Sequence, residues 1–364
     1  MASLLNRLAR LSRVLFVVAG LAILLYGCSA DDSPLGQGGA DKPRVLIIHS
    51  YDNLFRWSAQ QNDGIIEGLK RSGYTEDDYE LRVFYMDARV NFLTDEQIAL
   101  RTSIARRTID EFKPQVVFLT DDIAVEEVAV PYLEEHPDSE VSFVFSGVNG
   151  DPLKYPVVKS LEAPGAKITG TLERIPFTEG LDAGRRVFSP ATRTVIFADD
   201  STSSRTVMDS FRRAAFAGTT YPLDVVDFIQ ISTFEEWKQD VSAFEGRVDV
   251  IAVVNYHRIR DASGNIVPPK EVAKWTAENS SAPAFGLISD WSADGLAMSF
   301  GNSGFETGVF IGQRGAAILN GADAGQMPIV DPKQYEMTFN LTTLEKEDIS
   351  VPKAELDKAS ETFK

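Results

Sequence analysis

The chain has 364 residues, 44% of them hydrophobic and 24% charged, which is a globular composition long enough for two domains. A formal charge of −17 repels phosphate backbones and sets nucleic acid aside as a partner. One cysteine and three scattered histidines, His49, His136 and His257, exclude a disulfide framework, a cysteine-ligated metal site and HExxH-type spacing within the chain, so neither metal nor cofactor is expected.

Residues 1–28 read as a targeting segment outside the fold. Arg7, Arg10 and Arg13 precede an apolar run at 14–25, well short of the ~20 residues of a membrane-spanning helix. The run ends in Leu25-Tyr26-Gly27-Cys28, which resembles the bacterial lipobox, whose cysteine is lipidated and becomes the new N-terminus. The competing reading is an uncleaved anchor with an incidental cysteine. Residues 29–42 are rich in Gly, Ser and Asp without periodicity and read as a flexible tether.

The run Val45-Leu46-Ile47-Ile48, after Pro43, reads as a strand buried on both faces, as in a parallel sheet. Ile65, Ile66 and Leu69 recur at helical spacing and predict a helix after it. Alternation then continues. Strands are predicted at 80–87, 115–119, 141–145 and 166–172, with helices at 95–112 and 125–135. A second set begins at 177, with helices at 177–188, 203–217, 233–244 and 270–279 and strands at 193–198, 223–229, 248–254 and 283–287. Strands separated by helices imply α/β architecture, with two doubly wound parallel sheets, one per lobe. The last segment offers strands at 296–300 and 335–340, a helix at 304–320 and two short helical pieces. That is too little for a third domain, so it is expected to complete both sheets, with the chain crossing between lobes through a multi-strand hinge. The expected lobes are 43–170 with 301–333, and 171–300 with 334–364.

Several stretches resemble the ABC transporter substrate-binding proteins whose better-known members take up tryptophan or tyrosine. They are LIIHSY with Trp57 downstream, FLTDDIA at 118–124, VFSGVNG at 144–150, ITGTLE at 168–173, and the closing run from Gly304 through MPI and MTFNL to ISVPKAEL. The middle of the chain is also similar to extracytoplasmic sensor domains of histidine kinases. The resemblance implies a type I periplasmic-binding fold with two lobes, three hinge crossings, a small-molecule solute in the cleft, and delivery to an ABC permease and its ATPase. A lipid-anchored monomer at the cell envelope is expected. The alternative reading is a sensory lipoprotein that serves a histidine kinase or chemoreceptor.

In open α/β sheets ligands sit beyond the carboxyl ends of the strands. Candidate ligand-binding residues therefore cluster there. Ser50, Tyr51 and Trp57 follow the first strand; Asp121 and Asp122 follow the third and can accept a ligand ammonium. Ser146 and Asn149, and Ser201 and Thr202, precede helices whose N-termini suit anions, although ordinary capping explains each alone. Asn255 and Tyr256, and Asp290 and Trp291, close two later strands. Tyr51, Trp57, Tyr256 and Trp291 are candidates to sandwich an apolar or aromatic body, against core packing for any single one. Asp290 is ranked above Asp199. Arg56, Arg89, Arg174 and Arg258 are possible partners for a ligand carboxylate. His49 reads as structural. No GxSxG, Walker or GxGxxG motif occurs, and no enzyme is expected.

Overall fold

A computed structural model describes residues 42–364 except Val90. The targeting segment, Cys28 and all of the tether but Lys42 lie outside the described residues. The first half runs β1 (Arg44–His49), α1 (Arg56–Arg71), β2 (Glu80–Tyr85), α2 (Asp95–Phe112), β3 (Val116–Thr120) and α3 (Asp121–Ile123). A π-helical turn (Ala124–Ala129) then leads into α4 (Val130–Glu135), β4 (Ser142–Val148) and β5 (Ile168–Leu172). Next come α5 (Phe177–Val187), β6 (Arg193–Asp199), α6 (Thr202–Phe216), β7 (Asp224–Ile231), α7 (Phe234–Ala243), β8 (Val250–Asn255), α8 (Pro269–Asn279), β9 (Ala284–Gly286) and α9 (Trp291–Asp294). The chain closes with β10 (Met298–Asn302), α10 (Gly304–Leu319), β11 (Tyr335–Asn340), α11 (Leu341–Lys346), α12 (Lys353–Leu356) and β12 (Glu361–Phe363).

These strands make two sheets. One has the order β2-β1-β3-β4-β5 and is parallel throughout; the other has the order β12-β11-β10-β9-β8-β6-β7 and is parallel except where β10 meets β11. The apolar runs occupy the middle of each sheet, as burial on both faces requires. Val45, Leu46, Ile47 and Ile48 are all fully buried, each contributing about 1.5–3 kcal/mol of transfer free energy. One face of the first sheet packs with Phe118, Ile65, Leu69 and Ile311, the other with Phe143, Phe145, Ile109 and Val128. The second sheet is likewise covered on both faces. We call each sheet with its helices a lobe.

The chain passes between the sheets three times: from β5 to α5, from β10 to α10, and back to β11. The middle passage carries α10 away from β10 and onto α1, beside β3 and β4. Glycines recurring every four residues on one face of each helix permit this. A Cβ on Gly68 would stand 2.3 Å from the carbonyl oxygen of Val309, and one on Gly308 would stand 2.5 Å from that of Gln61. The two helices therefore meet backbone to backbone, an approach that only glycine allows.

The helix expected at 125–135 starts earlier, at Asp121, directly off β3. Asp121 has φ +69°, a left-handed conformation that lets the chain turn from strand to helix without a loop. The short edge strand β12 carries too few apolar residues to stand out in the sequence.

Candidate ligand-binding site

The strand ends of the first lobe converge on Asp121. Its side chain is buried, and the indole N–H of Trp57, at the start of α1, donates to its Oδ1 at 2.8 Å. Its Oδ2 is buried and has no hydrogen-bond partner. Opposite, Gly147 at the end of β4 has φ +72°, and a Cβ there would stand 2.7 Å from Asp121 Oδ1, so no side chain fits between them. Burial, then the nearby Glu173 carboxyl, push the Asp121 carboxyl well above the usual range, while Trp57 opposes them. Glu173 itself is pushed up to about 7, chiefly by burial. Tyr51 is half-buried beside the same carboxyls, and burial followed by their charges raises its phenol.

Other candidates of this lobe hold the corner together. Ser50 donates to the Thr120 carbonyl at 2.6 Å and accepts from the Ala124 N–H at 2.8 Å, so its hydroxyl is spent on tying β1 to the helical turn after β3. Asp122 accepts the backbone N–H groups of Asn149 and Gly150 at 3.1 and 3.0 Å. The Asn149 amide donates to Glu173 at 3.1 Å. Arg174 does not reach for a carboxylate: its guanidinium donates to the carbonyls of Val148, Asn149, Gly150 and Glu173. Ser146 is fully buried and donates to Gln61 Oε1. Gln61 Nε2 and Ser58 Oγ, both on α1, remain buried without partners. His49 is neutral, with its pKa lowered to about 4 by burial, and both ring nitrogens meet internal partners, Thr120 and Asn62.

In the second lobe Asp199, ranked low from sequence, is the organising carboxylate. It is fully buried; its Oδ1 accepts the hydroxyls of Ser201 and Ser204 at 2.6 Å each, and its Oδ2 accepts the Arg258 N–H at 2.9 Å. Ser201 also caps α6, whose first residue is Thr202. Asn255 folds back on its own chain, accepting from the N–H groups of Tyr256 and His257.

Tyr256 and Trp291 are core residues and not a ligand sandwich. They are 1% and 6% exposed, their rings pack 5.1 Å apart, and their polar ends are used internally. The Tyr256 hydroxyl donates to Asp294 at 2.9 Å, and the Trp291 indole donates to the Val254 carbonyl at 3.0 Å. Asp290 is also engaged elsewhere. It accepts from Arg56 at 2.8 Å, and Arg56 pairs with Glu361 too, so α1 of the first lobe is bridged to the second. Burial raises the Asp290 carboxyl, and Arg56 pulls it back down.

A cleft of about 1290 Å³ opens between the two sets of strand ends. Of the sequence candidates, Asp122, Asn149, Ser201, Arg174 and Arg258 line it. Sequence reasoning missed Glu173, Arg213 and Arg260. Glu173 was legible as the acid that directly follows the apolar run of β5; the arginines lie on a helix and a loop with no spacing to mark them. A second cavity of about 590 Å³ lies behind the crossings, lined by Arg56, Phe300, Tyr335 and Glu336 among others.

Comparison with known proteins bears on this arrangement. The family model described as ABC transporter substrate binding protein matches residues 57–363. The tyrosine-binding protein of Clostridioides difficile (strain R20291) is 22% identical over 347 residues, covering 93% of this chain and 92% of that protein. A substrate-binding protein with adhesive properties from Clostridium difficile, solved ligand-free and open, superposes with a TM-score of 0.67 at 18% identity, over 88% of this chain and all of that one. The ABC domain in complex with L-Trp from Streptococcus pneumonia gives 0.62 at 17% identity, over 89% of this chain and all of that one. These likenesses carry the fold, that of the type I periplasmic-binding proteins. The family is extracytoplasmic, and among the described residues no helix is long and apolar enough to cross a membrane. Two α/β sheets, a polar cleft at their strand ends and a family match across most of the chain agree: the chain belongs to the ABC transporter substrate-binding proteins, which bind solutes and are not enzymes.

Proposed function

We propose that the protein captures a small organic solute, an amino acid or related carboxylate, between its lobes and delivers it to an ABC permease and its ATPase. In this reading lipidated Cys28 tethers it to the membrane, with residues 29–42 as the connecting segment. The observation that carries the solute class is Asp121: a buried carboxyl with one oxygen held by Trp57 and the other left without a partner. A buried polar atom without a partner costs about 1–3 kcal/mol, and a ligand ammonium removes that cost while accepting nothing in return. Ser58 and Gln61 leave a hydroxyl and an amide N–H nearby on α1, both able to donate to a carboxylate. Together they match the two ends of an α-amino acid. The names of two relatives, one tyrosine-binding and one solved with L-Trp, point to the same class.

Binding works by differential contact. A solute that touches both walls stabilises the closed arrangement, and one that touches a single wall does not. Native mass spectrometry of the mature protein, purified without refolding, tests the reading. The expected result is a retained mass of amino-acid size that exchanges with added free amino acids. A protein that carries nothing and shows no thermal shift with any amino acid contradicts it.

A further inference from the structure

The two walls of the cleft carry opposite charge. On the first-lobe side stand the carboxyls of Asp122, Glu126, Asp151 and Glu173. Its cations are Lys154 and Arg174, and the latter is spent on backbone carbonyls. On the second-lobe side stand Arg205, Arg213, Arg258 and Arg260, with Asp200 the one acid among the lining residues there. The Asp200 carboxylate accepts from Ser232 at 2.8 Å, and its carbonyl accepts from Arg205. Arg260 donates to the Gly264 carbonyl at 3.0 Å. The other two differ from these. Among the described residues the guanidinium groups of Arg213 and Arg258 have neither an ion pair nor a hydrogen bond. Arg258 is held in place by its backbone N–H on Asp199, which leaves its side chain available. Aromatic surface, in contrast, is scarce. Of the lining residues only Phe211 is aromatic, and its ring is already stacked on Phe177 at 3.7 Å.

From this polarity we infer that the guest is an amino acid with a second, distal carboxylate. Its ammonium lies in the Asp121–Glu173 corner, and the distal carboxylate lies against Arg213 and Arg258. The inference rests on the amino-acid reading above and deepens it. Guanidinium–carboxylate contacts are charge-assisted and bidentate, and these two arginines meet such a group without first breaking an internal pair. A neutral side chain of the same length would leave those cations solvated and gain nothing from them. The cleft volume also exceeds what a single compact amino acid fills, which leaves room for an extended chain.

Isothermal titration of the mature protein with L-2-aminoadipate, L-norleucine and L-tyrosine tests this. Aminoadipate and norleucine have the same carbon chain and differ in the terminal carboxylate. The expected result is aminoadipate binding at least ~10-fold more tightly than the other two, the ratio shrinking with added salt. The double substitution Arg213→Gln with Arg258→Gln brings the ratio towards one. Because both side chains lack internal partners, its melting temperature should stay that of the parent, which separates lost recognition from lost folding. Norleucine or tyrosine binding as tightly as aminoadipate overturns the distal-carboxylate inference and leaves the amino-acid reading standing. No binding of any of the three, nor of other amino acids, overturns both. Equal loss of all three in the double variant also overturns the inference, since it places the arginines at a group common to every amino acid.

Discussion

β3 runs into Asp121-Asp122 and β6 into Asp199-Asp200, two pairs of aspartates at the carboxyl ends of parallel strands that have neighbours on both sides. In the second lobe the first aspartate of the pair is saturated, with Ser201, Ser204 and the Arg258 N–H on its two oxygens. In the first lobe the equivalent carboxyl accepts from Trp57 on one oxygen, and its other oxygen is buried without a hydrogen-bond partner. Asp199 builds its wall; Asp121 leaves its wall unfinished. The difference lies in the residues just after each pair. Ser201 and Ser204 supply hydroxyls within one helical turn, whereas Ile123 and Ala124 supply none. An acid at a strand end is thus structural or receptive according to the donors the next turn can bring to it.

The largest effect should come from the saturated carboxyl. Asp199→Ala leaves two serine hydroxyls and an N–H without their acceptor, and chemical denaturation should show a loss of about 2–4 kcal/mol. A loss within experimental error of zero would mean that Asp199 is not the organiser of its wall. The glycine contact of α1 and α10 comes next. Gly68→Ala sets a methyl group 2.3 Å from the Val309 carbonyl oxygen, so the helices must separate, and about 1–3 kcal/mol should be lost. Both variants test scaffold; Gly68→Ala should leave the preferred solute unchanged, whereas Asp199→Ala also releases the Arg258 N–H and should loosen that side of the cleft.

Protonation sharpens the contrast from the receptive side. Glu173 titrates at about 7 in the folded protein against 4.5 for the free group, because burial disfavours its charge. Between those values the folded state holds a proton that the unfolded chain has released, so stability of the empty protein falls as pH rises through this window. A ligand ammonium favours the ionised carboxyl, so ligand-induced stabilisation should grow over the same window. Glu173→Gln should flatten both slopes, as a thermal-shift series across pH will show. The smallest effect belongs to the bridge between the lobes. Arg56 is about a third exposed, and Asp290→Asn should cost no more than about 1 kcal/mol. Small-angle scattering of the empty variant should show it more open, and unchanged scattering would remove the bridge as a contributor to closure.

Much of the architecture was legible from the chain alone. The apolar runs of β1, β3, β4, β6 and β8 can be satisfied only by burial on both faces, and the helices between them force parallel sheets. The site was legible only in outline. Position at a strand end was readable for Asp122, Asn149 and Ser201, but the direction of a side chain there depends on a single residue of register. Tyr256 and Trp291 have the composition of a ligand clasp and the surroundings of a core, because Asp294 and the Val254 carbonyl, distant in sequence, take their polar ends. Asp290 faces Arg56, 234 residues away, and no local pattern announces that pair. Asp121 was a candidate for its charge; what singles it out is the missing second partner, which only the folded arrangement reveals.

Asp121→Asn therefore gives the most direct measurement. Asparagine keeps an oxygen for the Trp57 indole, tolerates the left-handed backbone at this position, and removes the charge while turning the second oxygen into an NH2 donor. Calorimetric titration with the solute retained by the native protein should show affinity lowered about 10–100-fold, as expected for a lost charge-assisted hydrogen bond, with thermal stability of the empty protein equal or higher. Unaltered affinity in a folded Asp121→Asn protein would contradict the assignment of this carboxyl to the ligand.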